Sequence, residues 1–535
     1  MTSQRPPLCT AVWLIVLLSS CTAEVAPHHD DTDRSTASDA SNQPGKGPRR
    51  DASNVVSSDS GTLSGNGAPR DGAAGRVDGG SRAVAADAGA DDSEDETTDG
   101  GADEFDAGAQ VDLPPGVSYL FPPPHGAGLC PDPALRIRFA KPPTLGSAGK
   151  IQVFEKGGSL VVTVDMAAST LSDTLGGTTV KLMRPVFVEG NEAVVRLKSK
   201  ALSYGKSYYV TIDAGVFKPA SGTFSISGET GWTFSTRAAP GTVSSVRVAL
   251  DGSGDFCSVQ GALDAVPSNN PTAAVVTLAP GIYHEVIHLR GKSNVTLRGL
   301  DRKRTVIEGT NNENLNPGTA TRALVGFDGT NGLLVENLTI HNLTPQGGKQ
   351  AEALRLQGCD KCIVRHADIL SLQDTILWSG RIYATDLYVE GNVDYVWGTG
   401  AVYFKESEFR TVGRTGVLVQ ARNTANAYGY VFVGCKLTAD GASPNNILAR
   451  IDSSVYPASH VAFIDCEMNS VAQAGWTVTG GGTSALRFWE YGSVDGAGRP
   501  VSTNGRLGGS SQISSAQAAM MRDPSVVLNG WTPPD

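Results

Sequence analysis

The stretch VRHADILSLQDTILWSGRIYATDLYVEGNVDYVWGTGAVYFKESEF, residues 364–409, carries one short pattern three times. VRHADI (364–369), ATDLYV (384–389) and FKESEF (404–409) each begin and end on an apolar residue and have a small or apolar residue in fourth place. VENLTI (335–340) precedes them, and FVGCKL (432–437) and FIDCEM (463–468) follow, so that six hexapeptides start 29, 20, 20, 28 and 31 residues apart. A fixed motif at variable spacing means that loops of different length return the chain to the same place. That pattern describes a parallel β-helix, short strands stacked coil upon coil with insertions to one side. No helical periodicity of useful length interrupts the strands, which argues against a doubly wound sheet.

The same spacing singles out two acids. Asp374 follows the end of one hexapeptide by five residues, and Asp394 follows the end of the next by five. Equivalent positions on neighbouring parallel strands lie about 4.8 Å apart. Two carboxylates that close cannot both ionise freely, so one is expected to hold a proton and the other a charge. On the repeat alone, a ladder of ordinary turn aspartates is the better reading.

Working outward, the chain divides by composition. Its 535 residues carry 54 acidic and 44 basic side chains, a formal charge of −10. Nine of the acids fall in DDSEDETTDGGADEFD (91–106), which leaves the remainder near neutrality. There is no basic stripe of the kind a nucleic-acid binder needs. MTSQRPPLCTAVWLIVLLSSC (1–21) has a basic start and an apolar run too short for a permanent span. It ends in Leu18-Ser19-Ser20-Cys21, which resembles the bacterial lipoprotein box. The resemblance implies a lipidated Cys21 as mature N-terminus and, with Thr22 next, an outer-membrane or cell-surface location, the lipid being the only contact with a membrane. Residues 22–112 are Asp-, Ser-, Gly- and Ala-rich and read as a disordered tether.

From 113 to 240, segments such as ALRIRF (134–139), GKIQVFE (149–155) and SYYVTID (207–213) alternate apolar with polar residues between Gly, Pro and Ser turns. This is a β-sandwich pattern. The opening SYLFPPPHGAGLCPDPALRIRF resembles bacterial Ig-like domains, and its expected role is that of a spacer. The repeats then occupy 243–535.

Within 243–535 the sequence resembles the pectin methylesterases. The motifs run in order: VALDGSGDFCSVQGALDAVP (248–267), GIYHEVIHL (281–289), VTLRGLDRKRTVIEG (295–309), QAEALRL (350–356), LQDTILW (372–378), EGNVDYVWG (390–398), GVLVQAR (416–422), AGW (474–476) and FWEYGSVDGAGR (488–499). The resemblance implies a right-handed parallel β-helix that hydrolyses methyl esters of homogalacturonan to pectate and methanol, as a monomer, with no cofactor and no metal. By motif position, Asp394 matches the nucleophile and Asp374 the general acid and base. Gln350 and Gln373 match amides that stabilise the oxyanion, and Arg450 matches the arginine that orients the nucleophile. Trp397 and Trp378 fall at or near substrate-contacting aromatics. One departure stands out: the family's Arg-Pro-Trp is here Arg450-Ile451-Asp452, which removes an expected wall of the sugar groove.

Other chemistries find little support. No G-x-S-x-G elbow precedes a long helix, as a serine esterase would require. No Asp-Asp dipeptide occurs in 243–535, as expected of a galacturonan hydrolase, and no acidic calcium cluster suggests a lyase. The alternatives are a lipid-anchored esterase or thioesterase-type homologue acting on a non-pectin substrate, and a non-catalytic polysaccharide-binding protein. Cys435 and Cys466, both fourth in their hexapeptides, are expected to stack as buried thiols, while Cys359 and Cys362 form a CxxC better suited to a local disulfide than to zinc.

Overall fold

The computed structural model describes residues 113–534 apart from 242, 269, 271, 414–415 and 441–444. The export segment, Cys21 and the 22–112 tether lie outside the described residues.

The repeat becomes a ladder. The first residues of the six hexapeptides pair in one line, Val335 with Val364, Val364 with Ala384, Ala384 with Phe404, Phe404 with Phe432 and Phe432 with Phe463. The last residues form a second line through Ile340, Ile369, Val389, Phe409, Leu437 and Met468. All of these pairings are parallel and belong to one 23-stranded sheet that winds from Ser245 to Gln512. Like stacks on like because successive coils bury the same side-chain position, and the Phe404, Phe432 and Phe463 rings stack at centroid separations of 4.7 and 4.6 Å. The third residue of every hexapeptide turns the corner in the left-handed region: Asn337, His366, Asp386, Glu406, Gly434 and Asp465 have φ between 50° and 62°. Asn, Asp and Gly accept that conformation at low cost, which explains their share of this row.

The coil is capped at its start and covered along one flank. At its start the helix Val259–Ala265 buries Val259, Ala262 and Leu263, while the Glu285 carboxylate accepts the Val259 and Gln260 amides at 2.9 Å. At the other end of the chain the helices Ser515–Arg522 and Pro524–Val527 lay Ala518, Met521 and Val527 over the outward-facing Tyr403, Val431 and Ala462.

Upstream, two sheets pack face to face. One contains Val117–Phe121, Leu135–Phe139, Glu192–Val195 and Val186–Glu189, and the other Gly126–Leu129, Thr233–Thr236, Ser207–Ile212, Lys150–Glu155 and Leu160–Asp165. Their inner faces share a core of Leu135, Ile137, Val153, Val210 and Trp232. A separate hairpin, Thr170–Leu175 with Thr178–Met183, leaves this sandwich, and its Leu175 and Val180 are buried in the same cluster as Val246, Val248 and Val276 of the first coils. Gly176 (φ 54°) at the hairpin tip lies so close to the coil that a Cβ there would sit 2.1 Å from the His288 carbonyl oxygen. A disulfide joins Cys130 of the sandwich to Cys257 just before the first helix. The expected spacer thus supplies core residues to the coil end.

The other four cysteines among the described residues, Cys359, Cys362, Cys435 and Cys466, are free and buried. Cys435 and Cys466 sit in the fourth-position row. Cys359 and Cys362 do not form the local disulfide expected of them: the ladder shifts register between them at left-handed Lys361 (φ 54°), and both stay buried free thiols, that of Cys362 donating to the Thr330 carbonyl at 3.1 Å.

Candidate active site

The strand that ends at Leu370 and the one that begins at Ile376 are separated by a short break, and Asp374 occupies it with φ 64°. Asp394 has φ 45° one coil later. The register is unambiguous. Gln373 pairs with Val393, Ile376 with Val396 and Leu377 with Trp397, a constant offset of twenty that places Asp374 beside Asp394. Looking back one coil, Leu354 pairs with Ile376, and the Ala351 and Ala353 amides donate to the Gln373 and Thr375 carbonyls at 3.1 and 2.8 Å. Glu352 therefore sits beside Asp374 on its other side. Three carboxylates, Glu352, Asp374 and Asp394, occupy one row.

Each catalytic candidate has its own cation. The Arg450 guanidinium grips Asp394 through Nε (2.8 Å to Oδ1, 3.1 Å to Oδ2) and through Nη2 to Oδ2. Gln420 Nε2 adds a further bond to Asp394 Oδ2 at 3.2 Å. These partners converge because Trp397 pairs with Gln420, and the Val419–Ala449 register carries that row on to Arg450. Asp374 instead receives a single N–H among the described residues, from Arg322 Nη2 at 3.1 Å. Burial pushes the Asp374 carboxyl well above the usual carboxylate range, with the charges of Glu352 and then Asp394 adding to it against the opposing pull of Arg322. One aspartate is thus built to carry a proton and the other to sit in an ion pair.

Gln350 and Gln373 flank this row, half-buried, with their backbone carbonyls held by the Glu313 and Ala351 amides. Neither side-chain amide is bonded to another group among the described residues, which leaves both available to an oxyanion. Trp397 is 6% exposed and forms a floor beneath two guanidinium groups, Arg422 at 4.6 Å and Arg322 at 5.7 Å from its ring centre.

Trp378 is a correction. It is fully buried and stacks on Phe404 at 5.5 Å inside the coil, so it cannot touch substrate. The residue level with Trp397 is Leu377, and a one-residue step along a strand moves a side chain to the opposite face.

Four further residues belong to the site without having been assigned a role from the sequence: Arg322, Glu352, Gln420 and Arg422. Gln420 and Arg422 lie in the GVLVQAR motif, and Arg422 Nε donates to Gln420 Oε1 at 2.8 Å, bracing the amide that meets Asp394. Where Arg-Pro-Trp is missing, Ile451 is buried and Asp452 caps its own turn by accepting from the Ser454 amide at 3.0 Å. The Tyr456 ring, four residues on, lies 5.7 Å from the Arg422 guanidinium on the same side of the site.

Paired carboxylates on adjacent coils, one biased by burial toward its protonated form and one ion-paired, with amides beside them, define an aspartyl-type hydrolytic centre on a parallel β-helix. The chain belongs to the pectinesterase family, whose sequence profile matches residues 245–525, more than half of its length. It is 33% identical over 221 residues to Pectinesterase 31 of Arabidopsis thaliana, covering 39% of this chain and 69% of that protein. It is also 33% identical over 266 residues to Pectinesterase 1 of Olea europaea, covering 47% and 71%. Among solved structures, the pectin methylesterase from carrot superposes with a TM-score of 0.49 at 25% identity, over 55% of this chain and 95% of that one.

Proposed function

We propose that this protein is a pectinesterase that hydrolyses methyl esters of homogalacturonan, releasing methanol and leaving pectate. The observation that carries the reading is the division of labour between Asp374, buried beside a second carboxylate, and Asp394, gripped by Arg450. The Asp394 carboxylate attacks the ester carbonyl carbon, and the amides of Gln350 and Gln373 take up the negative charge that develops on the carbonyl oxygen. Asp374 gives its proton to the departing methoxide, so methanol leaves and an acyl anhydride with Asp394 remains. The ionised Asp374 then takes a proton from water as the water attacks the acyl carbon. That step frees Asp394, delivers the galacturonate carboxyl group and returns the proton to Asp374.

The site lies on the flank of the coil, where a chain of sugars can run across it, with Arg422 and Tyr456 alongside. Arg422, held over Trp397, supplies a positive charge for uronate groups already freed of their esters. Anchorage through a lipid on Cys21, with an acidic tether between membrane and enzyme and a bacterial Ig-like sandwich in front of the coil, belongs to the same reading. The Leu18-Ser19-Ser20-Cys21 box supports it, as does the Cys130–Cys257 bond, since disulfides persist in exported proteins. An acyl group on Cys21 in the mass spectrum of the mature protein tests the anchorage.

The decisive assay is methanol release from highly methylated pectin, with acetylated pectin in parallel. Methanol from wild type and none from Asp394→Asn is the expected result. Acetate without methanol would identify a different ester as substrate. Binding of the polymer with no product of either kind would make the protein a polysaccharide-binding module and end the enzyme reading.

A further inference from the structure

The buried cluster behind Asp374 has no part in the steps above, yet it is the most heavily built feature near the site. Arg322 stands at its centre with only 8% of its side chain exposed, and it serves three carboxylates. Nε lies 3.0 Å from both oxygens of Glu352, Nη2 lies 2.7 Å from Glu352 Oε1 and 3.1 Å from Asp374 Oδ2, and Nη1 lies 2.9 Å from Glu313 Oε2. Glu352 itself is completely inaccessible to solvent. Replacing such an ion pair with apolar residues generally preserves or improves stability, so a fully buried Arg–Glu pair is poorly explained as a stability device. Its position explains it better. Glu352 is the coil neighbour of Asp374, and the pair reaches the site through the one N–H that Asp374 accepts.

We propose that Glu352 and Arg322 form a positioning unit for Asp374, holding its carboxyl group in place and keeping it in the form that donates a proton. The proposal rests on the esterase reading and deepens it. Arg322 gives three of its N–H contacts to Glu352 and one to Asp374, so its charge is largely cancelled before it reaches the aspartate. Asp374 consequently receives orientation from the guanidinium without being forced to ionise. The charged groups that face Asp374 are Glu352 on the preceding coil, Asp394 on the following coil, Arg322 on the 310–324 loop and Arg422 beyond the strand Val417–Ala421. Of these, Glu352 contributes the largest charge effect on Asp374.

The test is the pH profile of methanol release. Asp374 must be protonated to donate, so activity falls at alkaline pH as it ionises. Removing the neighbouring negative charge with Glu352→Gln makes Asp374 ionise sooner, and the alkaline limb of kcat/KM should move down by about one pH unit. In the double variant Arg322→Leu/Glu352→Val the ion pair is replaced by apolar groups that keep the core filled. There Asp374 loses the N–H that Arg322 gives it, and kcat should fall about tenfold with KM unchanged. An alkaline limb that stays in place in Glu352→Gln, or a double variant with wild-type kcat, overturns the proposal and leaves the pair a structural one. Should Glu352→Gln fail to fold, the double variant decides alone. A wild type that releases no methanol is a different failure, since it refutes the esterase reading before either variant is made.

Discussion

Asp374 and Asp394 occupy the same place in successive coils, share a left-handed backbone, and are equally covered at 7% exposure. They differ in what surrounds them. Asp394 has Nε and Nη2 of one arginine and an amide braced by another arginine. Asp374 has a fraction of an arginine already committed to Glu352 and Glu313. Identical local geometry with opposite charge environments is how a repeating scaffold makes an acid and a nucleophile from one residue type.

The contrast can be broken most completely at its charged end. Asp394→Asn removes the attacking oxygen charge, and methanol release should drop by at least about 10³-fold while the polymer is still bound. Asp374→Asn removes the proton donor and should lower kcat about 10²-fold, less than its partner because water can deliver a proton slowly. The same variant has a second readout. Burial and Glu352 raise the Asp374 carboxyl above its unfolded value, so the folded state is penalised as pH climbs from the unfolded carboxylate range toward the folded one. Asp374→Asn should therefore melt higher than wild type at neutral pH, with the gain vanishing near about pH 4. Arg450→Lys sharpens the comparison from the other side: a point charge replaces a fork, and kcat should fall about tenfold. The smallest effect belongs to the rim, where Tyr456→Ala should raise KM for pectin about threefold with little change in kcat.

The coils were legible because each hexapeptide position is dictated by what it stacks on. Val364, Ala384 and Phe404 had to be apolar in the same place, and their spacing then predicted the register that sets Asp374 beside Asp394. The partners of those aspartates were harder to read. Arg322 arrives from an irregular loop with no period, and Glu352 is a single acid inside QAEALRL whose burial depends on that arginine. Trp378 was misplaced by one residue, and in a strand one residue decides between core and surface. The hairpin 170–183 alternates like any other exposed hairpin. Only its contact with the coil end shows where Leu175 and Val180 go.

That hairpin has a consequence for how the molecule comes apart. A solenoid left open exposes an apolar cross-section and an unpaired row of amides, an invitation to stack end to end with its own kind. Here a hairpin of the neighbouring sandwich adds its Leu175 and Val180 to the capping helix over the first coils, and a disulfide ties the two parts together, so they should melt as one. An enzyme trimmed to its coils would retain every catalytic group and still be expected to precipitate.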